Sequence, residues 1–514
     1  MSTPPRSRLA LVALNSSANG IRAISGSLVT MVLPLVLVAL LAKNDFAVWA
    51  LCFSIASFVL YLDLGIPTTL QALVSSFDGA GDGRSAVAVV KSGLRVVALV
   101  SLACVAVGSV VAANFTAIFP DVETSLVAIA GPTLIIVLCG QLSNLLANAG
   151  SAYFAGLQRS PEPTRVMVPA RIGSLILATG AALVGTSVVV IAVAYALPLI
   201  VGCALIFAKF FSEARALGKA TGKTTPGTSA RSILAYSGPL IVWNLSLLFV
   251  TGAGLAIVGR VDYDAVAAYA VANIFAVGIT SLDSALLASL IPEFSRAHVA
   301  KDRARLAGGV RRASRVNSIF VTAMAVAIIA LAPIISLLLI ESGERSLGIL
   351  LIIGAVVTAS LRAYPAPLSL AFVATGTHKR IYWPPVVEAI VTFSLCVYLG
   401  VSFGALGVAV GSVSGAVLGM AMAFVISRRI SGVVDANLRQ MSADALLLPL
   451  LPTVPFALTV LVVSLLGQWA GYIGVTVVIV AGLASVALSW LVLPVTEKAT
   501  VRRLLNRLVR RGAV

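Results

Sequence analysis

The sequence predicts an all-α polytopic membrane protein of about fourteen transmembrane helices, arranged as two pseudo-symmetric six-helix bundles plus two extra C-terminal helices. Three observations carry this. First, 59% of the 514 residues are hydrophobic and only 11% are charged, whereas soluble domains carry about 25% charged residues. Second, apolar runs recur from end to end, each near the roughly 20 residues that cross a bilayer as a helix. Third, the cations are distributed asymmetrically along the chain.

Hydropathy places the helices near residues 21–42, 46–76, 87–113, 125–157, 166–185, 187–208, 233–259, 264–291, 316–340, 346–374, 385–403, 404–427, 446–467 and 471–493. With the N-terminus inside and the sides alternating, 29 of the 36 Lys and Arg fall on the inner side. Lys43, Arg260 and Arg345 fall outside, and Arg22, Arg95, Arg171 and Arg362 lie within spans. Cytoplasmic loops carry such an excess, so both termini are expected in the cytoplasm and the chain in the cytoplasmic (plasma) membrane. The net charge of +17 is therefore a topology signal, and no nucleic acid is expected as partner. The inner loop Arg296 to Arg315 and the tail from Lys498 to Arg511 are basic enough to meet anionic lipid head groups. The tail also reads as a short amphipathic surface helix.

A repeat supports the two halves. At an offset of 220 residues, Ala47, Ala50, Ala56, Leu62, Asp63, Leu70 and Ser75 match Ala267, Ala270, Ala276, Leu282, Asp283, Leu290 and Ser295. The shared Leu-Asp pair weighs most, because aspartate within an apolar helix costs roughly 2.5–3.5 kcal/mol on insertion scales. Six helices is an even number, so the halves share one orientation, as in transporters built from parallel repeats. The expected divisions are an N-terminal six-helix bundle (1–208), a cytoplasmic linker (209–232), a C-terminal six-helix bundle (233–427), two further helices (428–493) and a basic cytoplasmic tail (494–514).

No engine or catalytic centre is legible. Gly218 to Thr224 mimics a phosphate loop but is one residue short and follows no strand. The outer connections are short, and no paired carboxylates or Ser/His/Asp set stands on them, so an enzyme is not expected. The two histidines sit in basic loops and the five cysteines in apolar segments, so no metal site and no cofactor is expected. An H+ or Na+ gradient is the candidate driving force.

Ionisable residues within spans are the functional candidates. Arg22 opens the first helix, either facing a wet cavity or snorkelling to the surface. Arg362 lies mid-span in the tenth, just before Pro365 and Pro367, where a break is expected. Glu388 in the eleventh is its candidate counter-ion. Arg171, in the fifth, lies nearer the inner surface. Asp63 precedes Gly65 and Pro67, so the second helix should bend there; the carboxylate either satisfies freed backbone groups or takes part in coupling. Asp283 lacks that following Gly-Ile-Pro, which favours a role beyond a local bend.

Three stretches carry a resemblance: Asp45-Phe-Ala-Val-Trp-Ala-Leu51, Tyr61-Leu-Asp-Leu-Gly65 and Tyr153-Phe-Ala-Gly-Leu-Gln-Arg159. With the architecture, they make the chain resemble the polysaccharide flippases (O-antigen flippase type) of the MATE-like MOP superfamily. The resemblance implies alternating access by two bundles around a central cavity. Its implied cargo is a polyprenyl-pyrophosphate-linked oligosaccharide moved from inner to outer leaflet. Arg22, Arg362, Arg171 and Glu388 would then line the cargo site, and Asp63 and Asp283 would serve coupling or gating. Membrane lipids and glycan-assembly enzymes are the candidate partners. The several-arginine first helix of lipid II flippases is missing here. The alternatives are an ion-coupled drug antiporter of the same superfamily and a membrane glycan polymerase or ligase.

Overall fold

In a computed structural model, residues 5–218 (Leu64 apart), 244–288, 300–375 and 383–429 are described, with scattered positions between 242 and 300 and between 456 and 485. Among them the chain is helical throughout. The elements are α1 (Pro5–Leu40), α2 (Lys43–Ser57), α3 (Ile66–Gly79), α4 (Gly83–Ala113), the short α5 (Phe115–Ile118), α6 (Thr124–Gly156), α7 (Pro161–Leu183) and α8 (Val188–Gly218). Then follow α9 (Ala253–Val261), α10 (Val266–Ala288), α11 (Arg303–Leu339), α12 (Arg345–Ala363), α13 (Ala366–Ala374) and α14 (Trp383–Arg429).

Among the described residues, eleven stretches are long and apolar enough to cross a membrane. The chain is thus a multi-pass membrane protein. The difference from fourteen has two sources. Trp383–Val425 counts once but holds both expected helices, 385–403 and 404–427, separated at Phe403 and Gly404. The expected last pair is described only at scattered positions, and the basic tail and most of the linker lie outside the described residues. Leu99, Leu102, Val107 and Val110 along α4 are exposed, as side chains turned to lipid must be.

Two expected loops begin or end as helix. α8 runs on to Gly218, and α11 starts at Arg303, inside the basic stretch 296–315. The cause of the second is a cap: the Asp302 carboxylate accepts the Arg305 N–H at 2.9 Å, and hydropathy does not register such a start.

Contacts divide the chain into two compact units, Met1–Ile274 with Pro385–Ser412, and Phe275–Pro384 with Val413–Val514. In the first unit, α6 packs against α8, α4, α3 and α2, while α7 packs against α8 and α1. The motif Asp45 to Leu51 is core: Phe46 to Leu51 are all buried. Trp49 meets Tyr195 of α8 edge-on at 6.0 Å, and Phe53 meets the same ring at 5.6 Å.

The second motif breaks its helix. After α2 the backbone tightens into a 3₁₀ segment, Phe58–Asp63. Gly65 then takes φ +65°, a left-handed conformation that only glycine adopts freely. Pro67 stands in the first turn of α3, where its missing N–H costs nothing. The expected bend is therefore a full break between two helices.

The third motif closes the C-terminal end of α6. Gln158 adopts φ +60°, and Arg159 forks onto Glu213 of α8 at 2.8 Å and onto Glu162. Hydrogen bonds to Glu213, then Glu162, hold the Arg159 guanidinium protonated well above its ordinary range. Asn15 of α1 accepts the Ser160 N–H at 2.9 Å, fastening α1 to the same turn.

Candidate functional site

Within the first unit, α1, α6, α7 and α8, with Leu60 of the 3₁₀ segment, line a half-open cavity of about 290 Å³. Its walls carry Gly26, Ser27 and Thr30 from α1, Gln141 and Asn144 from α6, Arg171 and Ser174 from α7, and Tyr195 from α8. No carboxylate is among its lining residues.

Arg171 dominates the electrostatics. The side chain is buried, at 7% exposure, although the sequence placed it near the inner surface. One Nη donates to the Arg22 backbone carbonyl, and the other donates to Asn144 Oδ1 at 2.9 Å. The first contact draws two cationic residues of separate helices together. Two buried donors remain without an acceptor among the described residues: Nε of Arg171 and Nη1 of Arg22. Uncompensated buried charge is expensive, and a planar guanidinium pairs best with a carboxylate or phosphate. Arg171 is the cation of the cavity lining, and Arg22 stands behind it, joined through its backbone carbonyl.

The other polar groups are settled locally. Ser174 donates to the Arg171 carbonyl at 2.7 Å, and Thr30 donates to the Ser27 carbonyl at 3.0 Å. Gln141 donates to Ser57 Oγ at 3.3 Å. The sequence reading missed Gln141, Asn144 and Tyr195, since uncharged residues in apolar helices give no signal until packing places them around a cation.

Asp63 stands at the break after α2. Its Oδ1 accepts the Gly65 N–H at 2.9 Å and the Asn244 Nδ2–H at 2.7 Å. Beside it, Thr251 donates to the Tyr61 hydroxyl at 2.8 Å. The helix before α9 is itself distorted there, into a π-helical turn over Leu248–Gly252. Two irregular segments thus meet, and such turns often mark functional places.

Arg362 and Asp283 belong to the second unit, whereas Glu388 belongs to the first. Arg362 ends α12, and the chain leaves the helix at Tyr364 and Pro365 before α13, so the expected break is present. Asp283 is buried on α10, at 5% exposure.

A family model described as MatE matches residues 21–179. No curated protein matches the chain. Among solved structures, the chain is similar to the lipid II flippase MurJ in an inward closed conformation, at 14% identity and TM-score 0.64, covering 93% of this chain and 99% of that one. It is similar to an inward-facing multidrug resistance MATE transporter of the MOP superfamily, at 16% identity and TM-score 0.61, covering 79% and 95%. It is also similar to a MOP superfamily transporter from Pyrococcus furiosus, at 17% identity and TM-score 0.58, covering 85% and 96%. At these identities the likeness establishes a shared fold.

Proposed function

We propose that the chain is a flippase that moves a polyprenyl-pyrophosphate-linked oligosaccharide from the inner to the outer leaflet of the cytoplasmic membrane. It is a transporter and not an enzyme, and it works by alternating access. The observation that carries this reading is the cavity of the first unit. It presents the buried Arg171 guanidinium, fixed against Arg22, with no carboxylate in its lining. A cavity built this way favours an anionic group over a cationic drug. A pyrophosphate offers the acceptor oxygens that the unsatisfied Nε and Nη1 donors lack. The fold shared with a lipid II flippase over nearly the whole chain supports a lipid-borne cargo. Arg362 of the second unit and Glu388 of the first are further candidate cargo residues, each within its own unit.

The test is the leaflet distribution of lipid-linked glycans in cells lacking the chain, read by an impermeant glycan probe. Glycan confined to the inner leaflet, and released outward when the chain is restored, supports the reading. An unchanged distribution contradicts it. A second reading, an ion-coupled drug antiporter, draws on the MatE match and the multidrug-transporter fold. It requires the carboxylates Asp63 and Asp283 to be essential and the arginines to be dispensable.

A further inference from the structure

Of the four arginines that hydropathy places within spans, Arg95 has no part in the cavity or the helix break. It stands on α4 and is exposed, as is Lys91 one turn before it. Charged side chains within a span almost always face the bundle interior or water, and this one faces outward. Packing on the other side of α4 fixes that orientation. Val89, Val90, Val96 and Val97 are buried. Gly93 stands so near α3 that a Cβ there would lie 2.7 Å from Leu70 Cδ1. The helix cannot turn Lys91 and Arg95 inward without forcing α3 away.

Neither cation has a hydrogen-bond or ion-pair partner among the described residues. The carboxylate that precedes them in the chain, Asp82, caps α4, where its Oδ1 accepts the Ser85 N–H at 3.0 Å. It lies about 13 Å of helix rise from Lys91. An uncharged stretch begins directly after Arg95 and runs to Ala113. It is about 27 Å long, against about 30 Å of bilayer hydrocarbon. Arg95 therefore stands where hydrocarbon gives way to head groups, and Lys91 about 6 Å further out. Helix neighbours recur at three- and four-residue spacing. Lys91, Arg95, Leu99, Leu102, Ala106 and Val110 follow one another at that spacing, and all are exposed. Two cations thus cap an apolar stripe, which is the complement of an anionic head group above an acyl chain.

We propose that this face of α4 is a docking site for an anionic phospholipid of the bilayer, with the phosphate held by Lys91 and Arg95 and an acyl chain laid along Leu99 and Leu102. The guanidinium offers a fork to two phosphate oxygens, and the ammonium a point charge beside it. α4 begins at the end of the unit where α3 and α6 finish, because Gly156 of α6 packs on Val74 of α3. That is the end expected in the cytoplasm, and the cytoplasmic leaflet is the one that carries anionic lipid. α4 contributes no residue to the cavity lining, so the docked lipid is separate from the cargo and the inference does not rest on the flippase reading.

Native mass spectrometry of the purified full chain in a non-ionic detergent tests this. Bound lipids are counted as dioleoylphosphatidylglycerol is titrated, with dioleoylphosphatidylcholine as the zwitterionic control. The wild type should hold one phosphatidylglycerol more tightly than the rest and show no such preference for phosphatidylcholine. Lys91→Gln and Arg95→Gln should each weaken that first binding roughly fivefold, and the variant carrying both should weaken it more than about tenfold. Lys91→Arg, which keeps the charge, should retain it. Undiminished binding in the double variant overturns the proposal. So does an equal loss in a variant carrying Arg305→Gln and Arg312→Gln on α11, since diffuse charge rather than a site would then hold the lipid. Competition by glycerol 3-phosphate, a head group without chains, would remove the apolar stripe from the site and overturn it. Displacement of the lipid by a polyprenyl diphosphate at equal concentration would give the face to the cargo and overturn it as well.

Discussion

Arg171 on α7 donates through one Nη to the backbone carbonyl of Arg22 on α1 and through the other to Asn144 on α6. One guanidinium thereby locks three helices around the cavity and leaves its Nε facing no acceptor among the described residues. The same fork that holds the wall also charges it.

Arg171→Lys keeps the charge and loses the fork. A lysine cannot serve the Arg22 carbonyl and Asn144 in one plane, so outward movement of glycan should fall at least tenfold while the protein still reaches the membrane. Arg171→Gln should abolish it. The thermal midpoint should drop in both, since a lost buried hydrogen bond costs about 1–3 kcal/mol. Membrane abundance and leaflet assay together check this.

Gly26 gives an independent handle on the same group. A Cβ built there would stand 3.2 Å from Arg171 Nη1. Gly26→Ala should shift the guanidinium by a few tenths of an ångström and weaken export modestly. Gly26→Leu should displace it and export should fall as in Arg171→Gln, with the chain still folded. Export and thermal midpoint measured side by side separate the two effects.

Asp63 separates structure from charge. Both of its hydrogen bonds, from Gly65 N–H and from Asn244, end on Oδ1. Asp63→Asn retains that oxygen and loses only the charge. Near-normal stability and export are expected for it, and a loss of about 1–3 kcal/mol for Asp63→Ala. An inactive but stable Asp63→Asn would assign the residue to coupling instead.

Gly404 marks the turn inside α14, with φ +60° and ψ −144°, a region essentially reserved for glycine. A Cβ there would meet Asp262 Oδ2 at 2.5 Å, the same oxygen that accepts the Ala405 N–H at 2.9 Å. Gly404→Ala should cost about 1–3 kcal/mol in strain and break that bond as well. Asp262→Ala should cost less, and thermal unfolding of both variants gives the order.

The helical architecture was legible because bilayer physics leaves few options: long apolar runs must be helices. Breaks were legible where they had a backbone cause, as at Asp63–Pro67 and Arg362–Pro367. Arg159 stood out as a motif residue, but its reason, a fork onto Glu213 fifty-four positions away, is tertiary. The cavity was only half legible. Arg171 announced itself by charge, while Asn144, Gln141 and Tyr195 have identities that any buried helix contains. Asp283 was legible as a lone carboxylate, whereas the bond from Asn317 to the Ala363 carbonyl depends on α11 and α12 meeting.

The central claim is that the arginine wall of the first unit receives an anionic group. Equilibrium binding of inorganic pyrophosphate to the purified full chain tests it most directly, compared among the wild type, Arg171→Gln and Arg22→Gln. The account predicts saturable binding to the wild type, weakened at least tenfold by Arg171→Gln and less by Arg22→Gln. Binding that is undiminished in Arg171→Gln, or a wild type that takes up organic cations and ignores pyrophosphate, would contradict it.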